Sequence, residues 1–312
     1  MERLTAFLFA GQGAQYVDMG KDLYDTFPES KAVFDRADKA LGFAISELCF
    51  EGPQEELILT HNCQPAILTM SIAAFEAFQS SAGCSRLQAA RYVAGLSLGE
   101  YSALVAAGAI EFEAAVYLVR RRGEFMEEEA SKRPGRMLSL IGLDLDAVKE
   151  VCKQTNTQVA NINCPGQVVI SGGIKEIGEA ERLAKERGVK RAVILEVNGA
   201  FHSSFMEGAS LKLAEELDKI RIAEPKITLV SNTTAKPVSS VAEIKDNLIK
   251  QVATSVLWED SMKFILSKGI VNFIEFGPGK VLKGLMRRID ENARVINIEK
   301  KEDILQFSKV SG

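Results

Sequence analysis

An α/β fold with a mainly parallel sheet, interrupted by an inserted α+β unit, is predicted by three features of the 312-residue chain. Short apolar runs of strand length alternate with longer apolar or amphipathic helical patterns, the order that builds a parallel sheet with helices on its faces. Between residues 133 and 198 the rhythm changes to β-α-β-β-α-β, the order of a ferredoxin-like split βαβ unit. A Gly-x-Ser-x-Gly string, Gly95-Leu96-Ser97-Leu98-Gly99, falls between a strand pattern and a helix pattern. The expected organisation is a discontinuous hydrolase-like core, residues 1–132 and 199–312, carrying a small domain over 133–198.

The core opens with a buried strand over 4–9, a Gly-rich turn, and a helical pattern through Met19, Leu23, Phe27 and Phe34. An apolar helix over 65–78, a strand over 91–94, an Ala- and Leu-rich helix over 101–109 and a charged helix over 112–131 follow. Pro134-Gly135 breaks the run. In the small unit, strands are expected over 137–141, 158–162, 167–171 and 191–197, with helices over 144–153 and 174–187. Pro165-Gly166 is the turn between the second and third strands. The core then resumes with a helix over 204–220, a strand over 227–231, a helix over 242–252, a strand over 271–276 and a helix over 281–289.

Composition narrows the function classes. Hydrophobic residues make up 46% and charged residues 26%, as in ordinary globular proteins. With 38 basic and 42 acidic residues the net charge is -4, so no overall basic field gathers nucleic acid or an anionic membrane. The five cysteines, Cys49, Cys63, Cys84, Cys152 and Cys164, are odd in number and form no C-x-x-C pair. Neither a disulfide framework nor a zinc site is expected, and a reducing cytoplasm fits. The opening apolar run is too short for a signal peptide or membrane span.

The pentad carries the chemistry. On a nucleophile elbow the glycines permit a sharp strand-to-helix turn that presents the serine hydroxyl, and the next backbone N–H faces a developing oxyanion. A plain structural turn is the competing reading. A serine nucleophile needs a base, and the chain has two histidines. His61, in Thr60-His61-Asn62, reads as a surface or capping residue. His202 lies at the return from the small unit into the core, where a cleft is expected, and competes with a satisfied core histidine. No motif supplies the acid of a triad. Phe9-Ala10-Gly11-Gln12-Gly13-Ala14-Gln15 fails as a dinucleotide fingerprint because Tyr16 stands where the third glycine belongs. Its backbone amides suit a second oxyanion donor instead. Gly277-Pro278-Gly279-Lys280 reads as a tight turn. Arg120-Arg121-Arg122 is by default a solvated face, unless one guanidinium turns inward to grip a carboxylate through two parallel hydrogen bonds.

Taken in order along the chain, the first loop, the pentad with Glu100-Tyr101, Arg122-Gly123, Gly199-Ala200-Phe201-His202 and Phe276-Gly277-Pro278-Gly279 resemble the malonyl-CoA:acyl carrier protein transacylases. The resemblance covers essentially the whole chain. It implies Ser97 as nucleophile, His202 as base, and the backbone N–H groups of Gln12 and Leu98 as oxyanion hole. It also implies Arg122 as the malonyl clamp, Gln64 as a lining residue, and the backbone carbonyl of Gln251 orienting the histidine in place of a carboxylate. Asn161 or Asn163 is expected at the cleft, and Phe201 is expected to disfavour an α-methyl branch. Two departures stand out: Leu96 replaces the family's usual His, and Ala10 its usual Pro. The resemblance implies malonyl-CoA and an acyl carrier protein as partners, no metal or organic cofactor, and a monomer. Carrier proteins are acidic, so Lys190, Arg191, Lys280, Lys283, Arg287 and Arg288 are candidates for a docking patch. A serine esterase or thioesterase, and an inactive carrier-binding subunit, are the alternatives.

Overall fold

In the computed structural model, which describes residues 5–82 and 90–310, ten strands form two sheets. The first contains β1 (Thr5–Phe9), β2 (Ala90–Gly95), β7 (Thr228–Val230), β8 (Pro237–Val238), β9 (Asn272–Phe276) and β10 (Arg294–Ile298), in the order β10-β9-β1-β2-β7-β8. All pairs are parallel except β7 with β8. The second contains β3 (Gly135–Ile141), β4 (Gln158–Cys164), β5 (Gln167–Gly173) and β6 (Arg191–Ile194) in the antiparallel order β4-β5-β3-β6. That order, with helices Leu145–Thr155 and Ile174–Glu186 as the crossovers, is the ferredoxin-like arrangement.

β1 shows why the apolar runs are continuous. Successive side chains point to opposite faces, and here both faces are covered: Phe7 and Phe9 enter one core cluster, Ala6 and Leu8 the other. Phe7, Phe9, Phe75 and Phe276 meet with ring centroids 5.3–5.9 Å apart, tying β1, β9 and the helix Thr60–Ala82 together. Pro65 is tolerated inside that helix close to its start. The small sheet packs its own helices through Leu138, Leu140, Val148, Val151, Ile170, Ile177 and Ala180.

The small sheet is stitched to the core along β4, at the segment between helices Val241–Gln251 and Trp258–Ser267. The Ile162 N–H donates to the Val256 carbonyl at 2.9 Å, and the Val256 N–H donates to the Ala160 carbonyl at 2.8 Å. The seam therefore has a backbone ladder of its own.

Several boundaries differ from expectation. The pattern through Met19, Leu23, Phe27 and Phe34 is two helices, Lys21–Thr26 and Pro28–Leu41, because Phe27 before Pro28 is held extended. The helix expected over 101–109 is Gly99–Ala106, ending before Gly108, whose φ is +68°. The strand expected to 197 stops at Ile194, and the helix expected from 204 begins as a 3-10 turn, Ser204–Met206, before Glu207–Lys219. Leu4 and Cys84 lie outside the described residues; Cys49, Cys63, Cys152 and Cys164 are free.

Helix Phe112–Lys132 crosses helix Thr60–Ala82 at Gly123, where a Cβ would stand 2.6 Å from the Cα of His61. Gly123→Ala should force the helices apart and cost about 1–3 kcal/mol, the usual penalty of overpacking. Urea unfolding of wild type and variant measures it, and an unchanged midpoint would contradict the close crossing.

Candidate active site

The carboxyl ends of β1, β2, β7 and β9 converge, as ligand sites in parallel sheets do. Between Gly95, which ends β2, and Gly99, which opens the next helix, Ser97 adopts φ +52°. A non-glycine residue in this left-handed region carries strain of about 1–3 kcal/mol, and such strain collects at functional turns. The glycines are required by contact. A Cβ on Gly99 would sit 2.2 Å from the Phe9 carbonyl oxygen, and one on Gly95 would sit 2.0 Å from the Gly99 carbonyl. Asn232, just past β7, staples the turn: its Oδ1 accepts the Ser97 N–H at 2.7 Å, and its Nδ2 donates to the Gly95 carbonyl at 2.8 Å.

His202, also at positive φ (+56°), places Nε2 2.8 Å from Ser97 Oγ and Nδ1 2.7 Å from the Gln251 carbonyl oxygen. A carbonyl only accepts, so Nδ1 carries the proton and the Nε2 lone pair faces the serine. Burial, reinforced by the Arg122 charge and opposed by the Gln251 carbonyl, lowers the His202 pKa to about 4. The imidazole is therefore neutral near pH 7, the state of a base. His61 is occupied elsewhere, its Nδ1 against Glu127 and its carbonyl accepting from Arg120 Nη1 at 3.2 Å.

Of the three consecutive arginines, Arg122 alone turns inward, to 1% exposure; Arg120 and Arg121 pair with Glu124. Its Nη1 donates to Gln64 Oε1 at 2.8 Å, and its Nη2 to Gln251 Oε1 at 3.0 Å and to Ser97 Oγ at 3.2 Å. The Tyr101 ring lies 5.5 Å from the guanidinium carbon. Among the described residues no carboxylate forms an ion pair with Arg122, and its buried Nε has no hydrogen-bond partner. Burying a cation among neutral acceptors costs several kcal/mol, and an arriving carboxylate recovers part of that cost. Burial lowers the Arg122 pKa, while Tyr101 and Glu100 oppose the shift.

Gln12, in the loop after β1, hydrogen-bonds Thr60 Oγ1 through Nε2 at 3.3 Å. Among the described residues neither its backbone N–H nor that of Leu98 donates to a protein acceptor. The loop lies against the elbow, since the Leu96 N–H donates to the Phe9 carbonyl at 3.2 Å. Phe201 is buried, a member of the main core cluster. Asn161 is half-buried and bridges to Val256, whereas Asn163 is buried with Oδ1 unpartnered. A cavity of about 370 Å³ reaches His202 between Lys149, Cys152 and Gln158 on the small unit and Thr254 and Ser255 on the core. A larger one of about 580 Å³, lined by Lys236, Asp246 and Lys250 among others, touches neither Ser97 nor His202.

The six candidate docking residues are exposed, and contacts through the β4–β5 turn bring Arg288 and Lys190 onto one surface. Arg288 donates to Gln167 Oε1 at 2.7 Å and to the Pro165 carbonyl at 3.2 Å, on the β4–β5 turn. The Gly142 N–H donates to the Gly166 carbonyl of that turn at 2.8 Å, and a Cβ on Gly142 would meet Lys190 Cγ at 2.5 Å.

Sequence reasoning did not single out Asn232, the Glu100 carboxylate or the Gln251 side chain. Glu100 is buried, accepts from Gln251 Nε2 at 2.6 Å, and is pushed up to about 7 mainly by burial. A polar residue directly after a central parallel strand, as Asn232 is, was the available signal. Nothing local marks Glu100 as buried.

The chain matches the acyl transferase domain family across residues 6–294. It is 46% identical over 304 residues to the malonyl CoA-acyl carrier protein transacylase of Bacillus subtilis (strain 168), covering 96% of this chain and 94% of that protein. Its fold superposes on the acyl-carrier-protein-S-malonyltransferase of Bartonella henselae with TM-score 0.95 and 37% identity over 99% of each chain. It also superposes on a malonyl-transacylase in complex with a type II PKS acyl-carrier protein, with TM-score 0.94, 35% identity, and coverage of 98% and 99%.

With two histidines in the chain, ring NMR signals are assignable with a His61→Gln variant. His202 should titrate near pH 4, not near the ordinary value of about 6.5. The folded pKa is depressed, so between those two values the unfolded chain binds the extra proton and stability falls as pH falls. An inflection near 6.5 in the folded protein would contradict the buried, neutral base.

Proposed function

The chain belongs to the malonyl-CoA:acyl carrier protein transacylases, and on that premise we propose that it transfers malonyl groups from malonyl-CoA to the phosphopantetheine thiol of an acyl carrier protein. The transfer supplies malonyl-carrier for fatty acid synthesis. The observation that carries this reading is the buried Arg122 cation, unpaired with any described carboxylate and 3.2 Å from Ser97 Oγ. An acyl group ending in a carboxylate satisfies it, and a neutral acyl group does not.

In the first half-reaction His202 Nε2 takes the Ser97 proton as Oγ attacks the thioester carbonyl. The oxyanion rests on the backbone N–H groups of Gln12 and Leu98, and the carbon–sulfur bond breaks. The leaving thiolate takes the proton from His202, leaving malonyl-Ser97. In the second half the carrier's thiol gives its proton to His202 and attacks the ester, and Ser97 recovers the proton as it leaves. One oxyanion donor is commonly worth about 2.7–4 kcal/mol and a charged hydrogen bond about 1.5–3 kcal/mol. The Gln251 carbonyl holds the His202 tautomer, and Gln64 aims the Arg122 fork. Phe201 disfavours the α-methyl branch of methylmalonyl-CoA, and Asn163, with its unpartnered Oδ1, is the better candidate of the two asparagines for a cleft contact. No step draws on a metal or organic cofactor.

The carrier docks, in this proposal, on the basic surface that Lys190 and Arg191 of the small unit build with Arg288 of the core helix Val281–Ile289, the helix that also carries Lys283 and Arg287 and follows Lys280. We place the enzyme in the cytoplasm as a monomer; the free thiols of Cys49, Cys63, Cys152 and Cys164 are in keeping with a reducing compartment.

Intact mass after brief mixing with malonyl-CoA should show one malonyl adduct on wild type and none on Ser97→Ala, and holo carrier should discharge it. Free malonate without carrier would mean a hydrolase, and no adduct an inactive binding subunit. Arg122→Ala should slow malonyl transfer by about 10–100-fold, in line with a lost charged hydrogen bond, while sparing acetyl transfer. Equal losses for both acyl groups would remove the clamp. Lys190→Glu with Arg288→Glu should raise KM for the carrier and leave KM for malonyl-CoA in place; unchanged carrier kinetics would dismiss the docking surface.

A further inference from the structure

Glu100 sits three residues past the nucleophile, 1% exposed, and enters no step of the reaction above. Its Oε2 accepts from Gln251 Nε2 at 2.6 Å and from the Asn232 N–H at 3.4 Å. Both partners act directly on the reacting residues. Gln251 donates through the same Nε2 to the Ser97 carbonyl at 3.0 Å, accepts Arg122 at Oε1, and offers its main-chain carbonyl to His202 Nδ1. Asn232 accepts the Ser97 N–H.

Elementary electrostatics fixes how these groups are arranged. The Gln251 amide lies between a guanidinium, which only donates, and Glu100 Oε2, which accepts from its Nε2, so one orientation satisfies both, whereas a flipped amide would turn its N–H groups on the guanidinium. We propose that Glu100 is a positioning residue for acyl transfer: by holding the Gln251 amide and the Asn232 backbone, it keeps the strained Ser97 turn, the His202 acceptor and the Arg122 fork in one register. Burial without a direct cation partner makes Glu100 a costly group to retain for packing alone. Its other oxygen, Oε1, is buried with no hydrogen-bond partner, so it is not a residue chosen for full satisfaction. The assignment rests on reading Ser97 as the acylated nucleophile.

The test compares wild type, Glu100→Gln, Gln251→Ala and the double variant. Each is labelled with a neutral fluorophosphonate, which needs Ser97 and His202 but no carboxylate clamp, and separately with malonyl-CoA, both followed by intact mass. Glu100→Gln should slow both reactions by about tenfold or more while Tm stays within about 2 °C of wild type. In the Gln251→Ala background it should add less than it does alone, because the shorter of its two contacts is already gone and residues acting through one another are non-additive. Wild-type labelling by folded Glu100→Gln would overturn the proposal. Slowing with malonyl-CoA alone would overturn it too, leaving Glu100 as a distant counterion of Arg122. If Glu100→Gln does not fold, Gln251→Ala decides: wild-type fluorophosphonate labelling there would show that the Gln251 amide positions nothing and would overturn the proposal, which needs it. Wild type that takes no label at all would reject Ser97 as nucleophile, a separate failure that takes the proposal with it.

Discussion

Gln251 is where three otherwise independent groups are made to agree. It closes the helix Val241–Gln251, whose Ile244 and Leu248 are anchored in the main core, so its position is set by packing far from the chemistry. From that one anchored residue a main-chain carbonyl fixes the His202 tautomer, and a side-chain oxygen fixes Arg122. The use of a neutral carbonyl behind the histidine has a physical rationale. A carboxylate there would lie close to the buried guanidinium and compete with the substrate's carboxylate for it. The site keeps its cation available by orienting the base with a dipole.

The same economy explains the two left-handed residues. Ser97 and His202 both hold positive φ, and each is pinned by contacts that leave the backbone no cheaper choice. Asn232 clamps the Ser97 turn from both sides, and the His202 N–H donates to the Val252 carbonyl at 3.2 Å, one residue past the helix that carries Gln251. Strain is tolerated because the surrounding structure over-determines it.

Much of this was readable from the chain. The Gly95–Ser97–Gly99 spacing carries its own steric reason, and with two histidines the base was a short choice. From charge pattern alone Arg122 is one of three equivalent arginines, because which of them turns inward depends on the crossing at Gly123; only the resemblance of Arg122-Gly123 to the family's motif separates it from its neighbours. Glu100 and Asn232 were not legible as partners: they meet across 132 positions of sequence, and neither has a local mark of burial. The helix Trp258–Ser267 escaped because no side chain caps its start, and the helices Ile45–Glu51 and Gln54–Leu57 are too short to establish a period. Strand β10 escaped because its alternation is weak, with Arg294 and Ile296 both exposed.

The backbone ladder between β4 and Val256 has a consequence for the protein's behaviour in a crowded solution. A four-stranded antiparallel sheet has two edges, and an open edge is a template on which a neighbour's strand can add. Here β4 gives the Ile162 N–H and the Ala160 carbonyl of its outward edge to Val256 of the core, which blocks the middle of that edge and leaves β6 as the sheet's free edge strand. That strand is four residues long and begins with the exposed Arg191, both features that discourage strand addition. The bonds that hold the two units together thus also guard the molecule against sheet-to-sheet association.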